Sequence, residues 1–90
     1  MSKAAVDPAE LRRFAQDLNR FNGDLVGLVQ SLKSKMTGLE ATWRDQEQRK
    51  FAETFEQMMR TISLFLPISE DQVKFLNKKA VAIEEYLKVR

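Results

Sequence analysis

Leu11, Phe14, Leu18, Phe21, Leu25, Leu28 and Leu32 follow one another in alternating steps of three and four residues, and Leu39 rejoins the series one heptad later. With 3.6 residues per helical turn, such spacing lines one side of a long helix, whereas a strand would repeat every second residue. A second apolar series begins after Thr42-Trp43-Arg44-Asp45: Phe51, Phe55, Met58, Ile62 and Leu66, then Val73, Leu76, Ala80, Ile83 and Leu87. Two stripes joined by a short link predict an all-α chain folded as a two-helix antiparallel hairpin. One seam per helix is satisfied by folding back, yet Ala52, Met59 and Phe65 widen the second stripe beyond that need. The surplus apolar surface predicts a partner, and the expected assembly is two hairpins dimerising antiparallel into a four-helix bundle.

Local grammar sets the boundaries. Asp7 can accept a first-turn amide, Pro8 suits the first helical position, and Glu10 sits where a capping box wants it. The first helix is therefore expected over about 8–40, and residues before Asp7 as a frayed tail. The bend spans 41–45, and Asp45 with Gln48 repeats the capping pattern, starting a second helix over about 46–88. All 90 residues form one domain. Pro67 predicts a kink or a brief break, with Ser69-Glu70-Asp71 available to cap a restart. Met58, Ile62 and Leu66 make two steps of four, a local irregularity that relaxes the supercoil. In the first helix Lys35 takes a seam place and Met36 fills in beside it. Gly23 and Gly27 read as a weak solvated spot, and neither seam shows an asparagine at a clear register-setting position.

The same residues exclude most chemistry. Histidine and cysteine are absent, which removes disulfides, Cys/His zinc sites, thiol nucleophiles and His-based acid–base pairs. Three scattered glycines make no phosphate loop, and the carboxylates Glu53, Glu56, Glu84 and Glu85 lack the Glu-x-x-His partners of a di-iron bundle. No catalytic, cofactor-binding or metal-binding residue is predicted, and the protein is not expected to be an enzyme. A net charge of +2 is shared between both arms. Arg12, Arg13, Arg20, Lys74, Lys78 and Lys79 are interleaved with Glu10, Asp17, Glu84 and Glu85, which argues against nucleic-acid binding. Strict heptads favour helix partners over a lipid surface. No stretch approaches the length of a membrane span, and the N-terminus lacks the apolar core of a secretory signal. The expected location is the cytoplasm, or outside the cell by export without a cleavable signal peptide.

The run from Thr42 to Phe55, with a central tryptophan in the bend of two long helices, resembles the WXG family, the early-secretory-antigen-like proteins of bacterial type VII secretion. Trp43 stands for the family tryptophan, Asp45 for its glycine, and Phe51 and Phe55 look like the aromatics that follow. With Arg44 these make up the hairpin motif. The Asp-for-Gly departure still supplies a helix cap. The family's own export signal is a tyrosine followed four residues later by an acid; here Tyr86 is followed by Arg90.

The resemblance implies a small secreted substrate, chaperone or adaptor that works by pairing with itself or with a second hairpin of the family, and through them with a secretion ATPase or a larger helical toxin. Leu18, Phe21, Leu25 and Leu28 are expected to meet Phe55, Met58, Ile62 and Leu66 at the centre of that interface, with Trp43 at the recognition end. A structural coiled-coil module of a larger complex, not secreted, is the alternative, distinguished by pairing that ignores Trp43.

Overall fold

The computed structural model describes residues 6–89. Two helices, α1 (Pro8–Glu40) and α2 (Gln46–Val89), pack side by side as an antiparallel hairpin. The molecule measures 68 × 18 × 17 Å, which is the length of α2 and the thickness of a helix pair. Its radius of gyration is 20.2 Å, against about 12 Å for a compact domain of this length.

Capping follows the chemistry of the ends. Asp7 Oδ1 accepts from the Ala9 amide at 2.9 Å, and Asp45 Oδ1 accepts from the Gln48 amide at 2.9 Å. Glu10 does not close a capping box; its carboxylate meets Arg13 at 2.9 Å. Between the helices, the amides of Thr42 and Trp43 donate to the Leu39 carbonyl at 3.1 and 3.0 Å, so the free carbonyls ending α1 are used to turn the chain.

The seam differs from the leucine series in a consistent way. In α1 the apolar residues shielded by α2 are Leu11, Ala15, Leu18, Leu25, Val29 and Met36, with Asn22 among them. Leu11, Leu18 and Leu25 belong to both series. Phe14, Phe21 and Leu28, expected between them, stand outward, and their seam places are taken by Ala15, Asn22 and Val29, each one residue further on. Lys35 is thus no fault in the seam, because Met36 is its regular member.

In α2 the shielded series runs Ala52, Phe55, Met59, Ile62, Leu66, Ser69, Val73, Leu76, Ala80 and Ile83, alternating three and four throughout. The irregularity expected at Met58 is absent, since Met59 holds the slot. Pro67 brings no break: α2 continues through it. Pro67 is exposed, so the carbonyl of Ser63 that loses its donor lies on the solvent side of the helix. Ser69 does not cap a restart. It sits in the seam, 4% exposed, and its Oγ lies 2.7 Å from Oδ1 of Asn22, itself 4% exposed. A buried asparagine does occupy a seam position, contrary to the expectation from sequence.

Counting outward from the Asn22–Ser69 pair sets Leu25 level with Leu66, Leu18 with Val73, Ala15 with Leu76 and Leu11 with Ala80. Large faces small towards the open end, where Ala15 and Ala80 are almost wholly buried. No large side chain is fully buried anywhere among the described residues.

Candidate functional site: the outward apolar flank and the aromatic bend

Each helix presents two flanks beside its seam. Phe14, Phe21 and Leu28 precede seam residues; Arg12 follows one, so it lies on the other side. Across the hairpin, Phe21 meets Phe65 edge to face, with ring centroids 6.2 Å apart and planes at 88°. That contact places the heptad series of both helices on one flank: Phe14, Phe21 and Leu28 from α1, and Phe51, Met58 and Phe65 from α2. All six are exposed, Phe14 at 59% and Leu28 at 67%. Ile68 and Phe75 widen the same flank on α2, because a position three after Phe65 lies next to it on the helix surface.

The opposite flank is mostly polar, though Val26 is exposed on it. Arg12 grips Glu84 with both ends of its guanidinium, Nε at 3.0 Å and Nη2 at 2.6 Å. Hydrogen bonding to Arg12 is the main reason the Glu84 carboxyl lies below the usual carboxylate range, and the same bond raises Arg12 further. About 40% of each side chain remains in solvent, which screens the pair.

At the bend, Trp43 is half-buried against Phe51, centroids 5.9 Å apart, and Phe51 against Phe55 at 6.1 Å. The hairpin motif is therefore a short aromatic ladder running from the bend down α2, with Phe51 belonging also to the apolar flank. Arg44 is exposed. No described residue other than glycine has positive φ, and the glycines do not either, so position 45 makes no conformational demand for glycine. Asp45 serves there as a cap.

Of the residues expected at a partner interface, Phe21, Leu28 and Met58 stand on the outward flank. Leu18, Leu25, Phe55, Ile62 and Leu66 are half-buried in the hairpin's own seam. The single stripe seen in sequence is two overlapping stripes, and only one faces away from α2. Phe14, Phe51 and Phe65 belong with the outward group. The signal that finds them is the seven-residue step from Phe14 to Phe21 to Leu28, repeated as Phe51, Met58 and Phe65. Tyr86 is exposed on α2, and Arg90 lies outside the described residues.

A helical hairpin with an aromatic bend defines a class of small all-α proteins, and comparison with known proteins gives its family. The family model WXG100, proteins of 100 residues with WXG, matches residues 3–86, and the chain belongs to that family. It is accordingly a small helical protein associated with type VII secretion. Among solved structures it is similar to the wild-type secreted protein EsxB from Bacillus anthracis str. Sterne, at 26% identity and a TM-score of 0.76, covering 91% of this chain and 88% of that one. A point mutant of the same protein superposes with a TM-score of 0.80 at 24% identity, covering 92% and 99%, and shows the shared fold. No curated protein matches the chain.

Proposed function

We propose that this protein is a secreted or adaptor component that acts by pairing, and that its partner surface is the outward flank of Phe14, Phe21, Leu28, Phe51, Met58 and Phe65. The observation that carries the proposal is the exposure of these residues on one continuous side of a hairpin that has no closed core of its own. The accessible surface is 7208 Å², about 1,800 Å² more than a compact protein of this mass exposes. That excess is about twice the ~800 Å² that each partner buries in a standard interface, so one chain has surface to spare for a partner. A second copy of the chain offers the matching flank, and two hairpins stacked on it form a four-helix bundle. The similar EsxB is a secreted protein, which supports export of this one. Arg90 stands where an acidic export residue is expected four places after Tyr86, so export would take either a sister hairpin carrying that signal in place of the second copy, or a divergent system that reads another one. The secretion ATPase and larger helical toxins are the further partners this role implies.

Light scattering after size exclusion tests the pairing. A helical particle of twice the chain mass, reduced to a helical or partly unfolded monomer by Phe21→Glu or Leu28→Glu, is the expected result. A tight dimer surviving both substitutions overturns the assignment of the flank. Export is read separately, as the appearance of the chain outside cells carrying the secretion system and its absence when that system is deleted.

A further inference from the structure

The Asn22–Ser69 pair is the single polar layer of the seam. From Leu11 to Met36 and from Ala52 to Ile83, every other place in the alternating series is apolar. The pair is also incompletely satisfied. One bond joins Ser69 Oγ to Asn22 Oδ1, while the amide Nδ2 of Asn22 is buried with no partner. A buried donor left unpaired lowers stability, and two apolar residues of similar size in the same place would raise it. The layer therefore has some use other than holding the helices together.

Its use follows from the regularity around it. Both seams repeat in heptads, and α2 is longer than α1, 44 residues against 33, so a slip of one heptad in either direction keeps all but the terminal residues of α1 beside α2. Such a slip moves a helix about 10 Å. Most seam layers are apolar again after it, although the Leu11–Ala80 and Ala15–Leu76 matches and the Arg12–Glu84 pair are lost. The polar layer is the one whose two members both gain an apolar neighbour: Asn22 comes level with Ile62 or Leu76, and Ser69 with Ala15 or Val29. The bend, residues 41–45, contains neither proline nor glycine to fix its length.

We infer that Asn22 and Ser69 form the register key of the hairpin, holding α1 and α2 in the one alignment that sets Phe21 against Phe65 and joins the two halves of the apolar flank there. The consequence for partner binding rests on the outward flank being the pairing surface; the key itself does not. A slipped hairpin would still be helical and closed, but Phe21 would leave Phe65 and each residue of the apolar flank would meet a neighbour two helical turns away, giving a partner a different surface. A single polar layer that exchanges stability for alignment is a known property of heptad seams.

The chain has no native cysteine, so engineered pairs report alignment directly. Leu18→Cys with Val73→Cys joins residues level in the structure; Leu18→Cys with Leu66→Cys, or with Ala80→Cys, joins residues one heptad out. In the natural seam, oxidative cross-linking within one chain is expected only for the level pair. Adding Asn22→Leu and Ser69→Ala is expected to raise the melting temperature and to increase the out-of-register cross-links about tenfold, the factor set by a hydrogen bond of ordinary net worth.

The exchanged pair, Asn22→Ser with Ser69→Asn, should restore cross-linking to the level residues alone, an effect that general loss of packing would not produce. Cross-linking confined to the level pair in the apolar background overturns the key. Repeating the assay with Phe21→Glu, where pairing between chains is removed, separates this outcome from that of the partner flank: the register shift persists whether or not the hairpin dimerises.

Discussion

On one flank of the seam Arg12 holds Glu84, and Asn19, Lys33, Glu56, Ser63 and Glu70 continue a surface that water satisfies, interrupted by Val26. On the other flank Phe21 meets Phe65, and Phe14, Leu28, Phe51 and Met58 continue a surface that water does not. Both flanks lie beside the same seam, built on the same heptads and differing only in whether the residue follows a seam position or precedes one. Scattered exposed apolar residues need no explanation; six on one side of a rod and a salt bridge on the other do. The asymmetry shows that folding back satisfies only half of what the sequence makes apolar.

The sharpest way to break the comparison is to place one charge in the seam and one on the flank. Leu25→Asp puts a carboxylate level with Leu66 inside the hairpin, where it loses leucine burial and gains no partner. The expected effect is about 3 kcal/mol or more of hairpin stability, seen as loss of helical circular dichroism at ordinary temperature. Phe21→Glu, four residues earlier, should remove dimer mass while leaving more helix. If the two substitutions behave alike, the flanks and the seam are not separable and the division drawn between them fails. Next in size is Trp43→Ala, which strips the half-buried end of the aromatic ladder. It should lower stability by about 1–2 kcal/mol, measured by urea unfolding of the hairpin.

How much of this was legible beforehand depends on size and polarity. The two helices, their bounds and the bend could be read from heptad spacing, Pro8 and the two aspartates, because those signals act locally. The rotational setting of α1 could not. Phe14, Phe21 and Leu28 are larger and more apolar than Ala15, Asn22 and Val29, so ranking by hydrophobicity selects the outward stripe as the seam. Ala15 faces inward because α2 approaches closely near Ala80, a fact about both helices together. Adjacent methionines at 58 and 59 carry no preference in sequence, and Ser69 resembles a cap until its hydroxyl is found against Asn22. At Asp45, by contrast, the cap was legible, and its carboxylate accepts the Gln48 amide. Asp45→Ala should cost about 1 kcal/mol and Asp45→Gly only a few tenths, compared by thermal unfolding.

The smallest expected effect belongs to the polar flank and has a definite sign. Glu84 is held below its ordinary carboxylate range first by the hydrogen bond from Arg12, so the folded chain binds its proton less readily than the unfolded chain. The pair's contribution is therefore complete above the unfolded carboxylate value, near pH 4.5, and is lost as pH falls through the lower folded value. Solvent exposure and screening keep it small. Melting temperature should fall slightly more steeply with acid in the natural chain than in Glu84→Gln, and the difference should shrink in high salt. Dimer mass in Glu84→Gln should be unchanged at neutral pH, because the ion pair lies on the flank that faces water. A dimer that dissociates in Glu84→Gln while surviving Phe21→Glu would reverse the assignment of the two sides and move the partner to the polar flank.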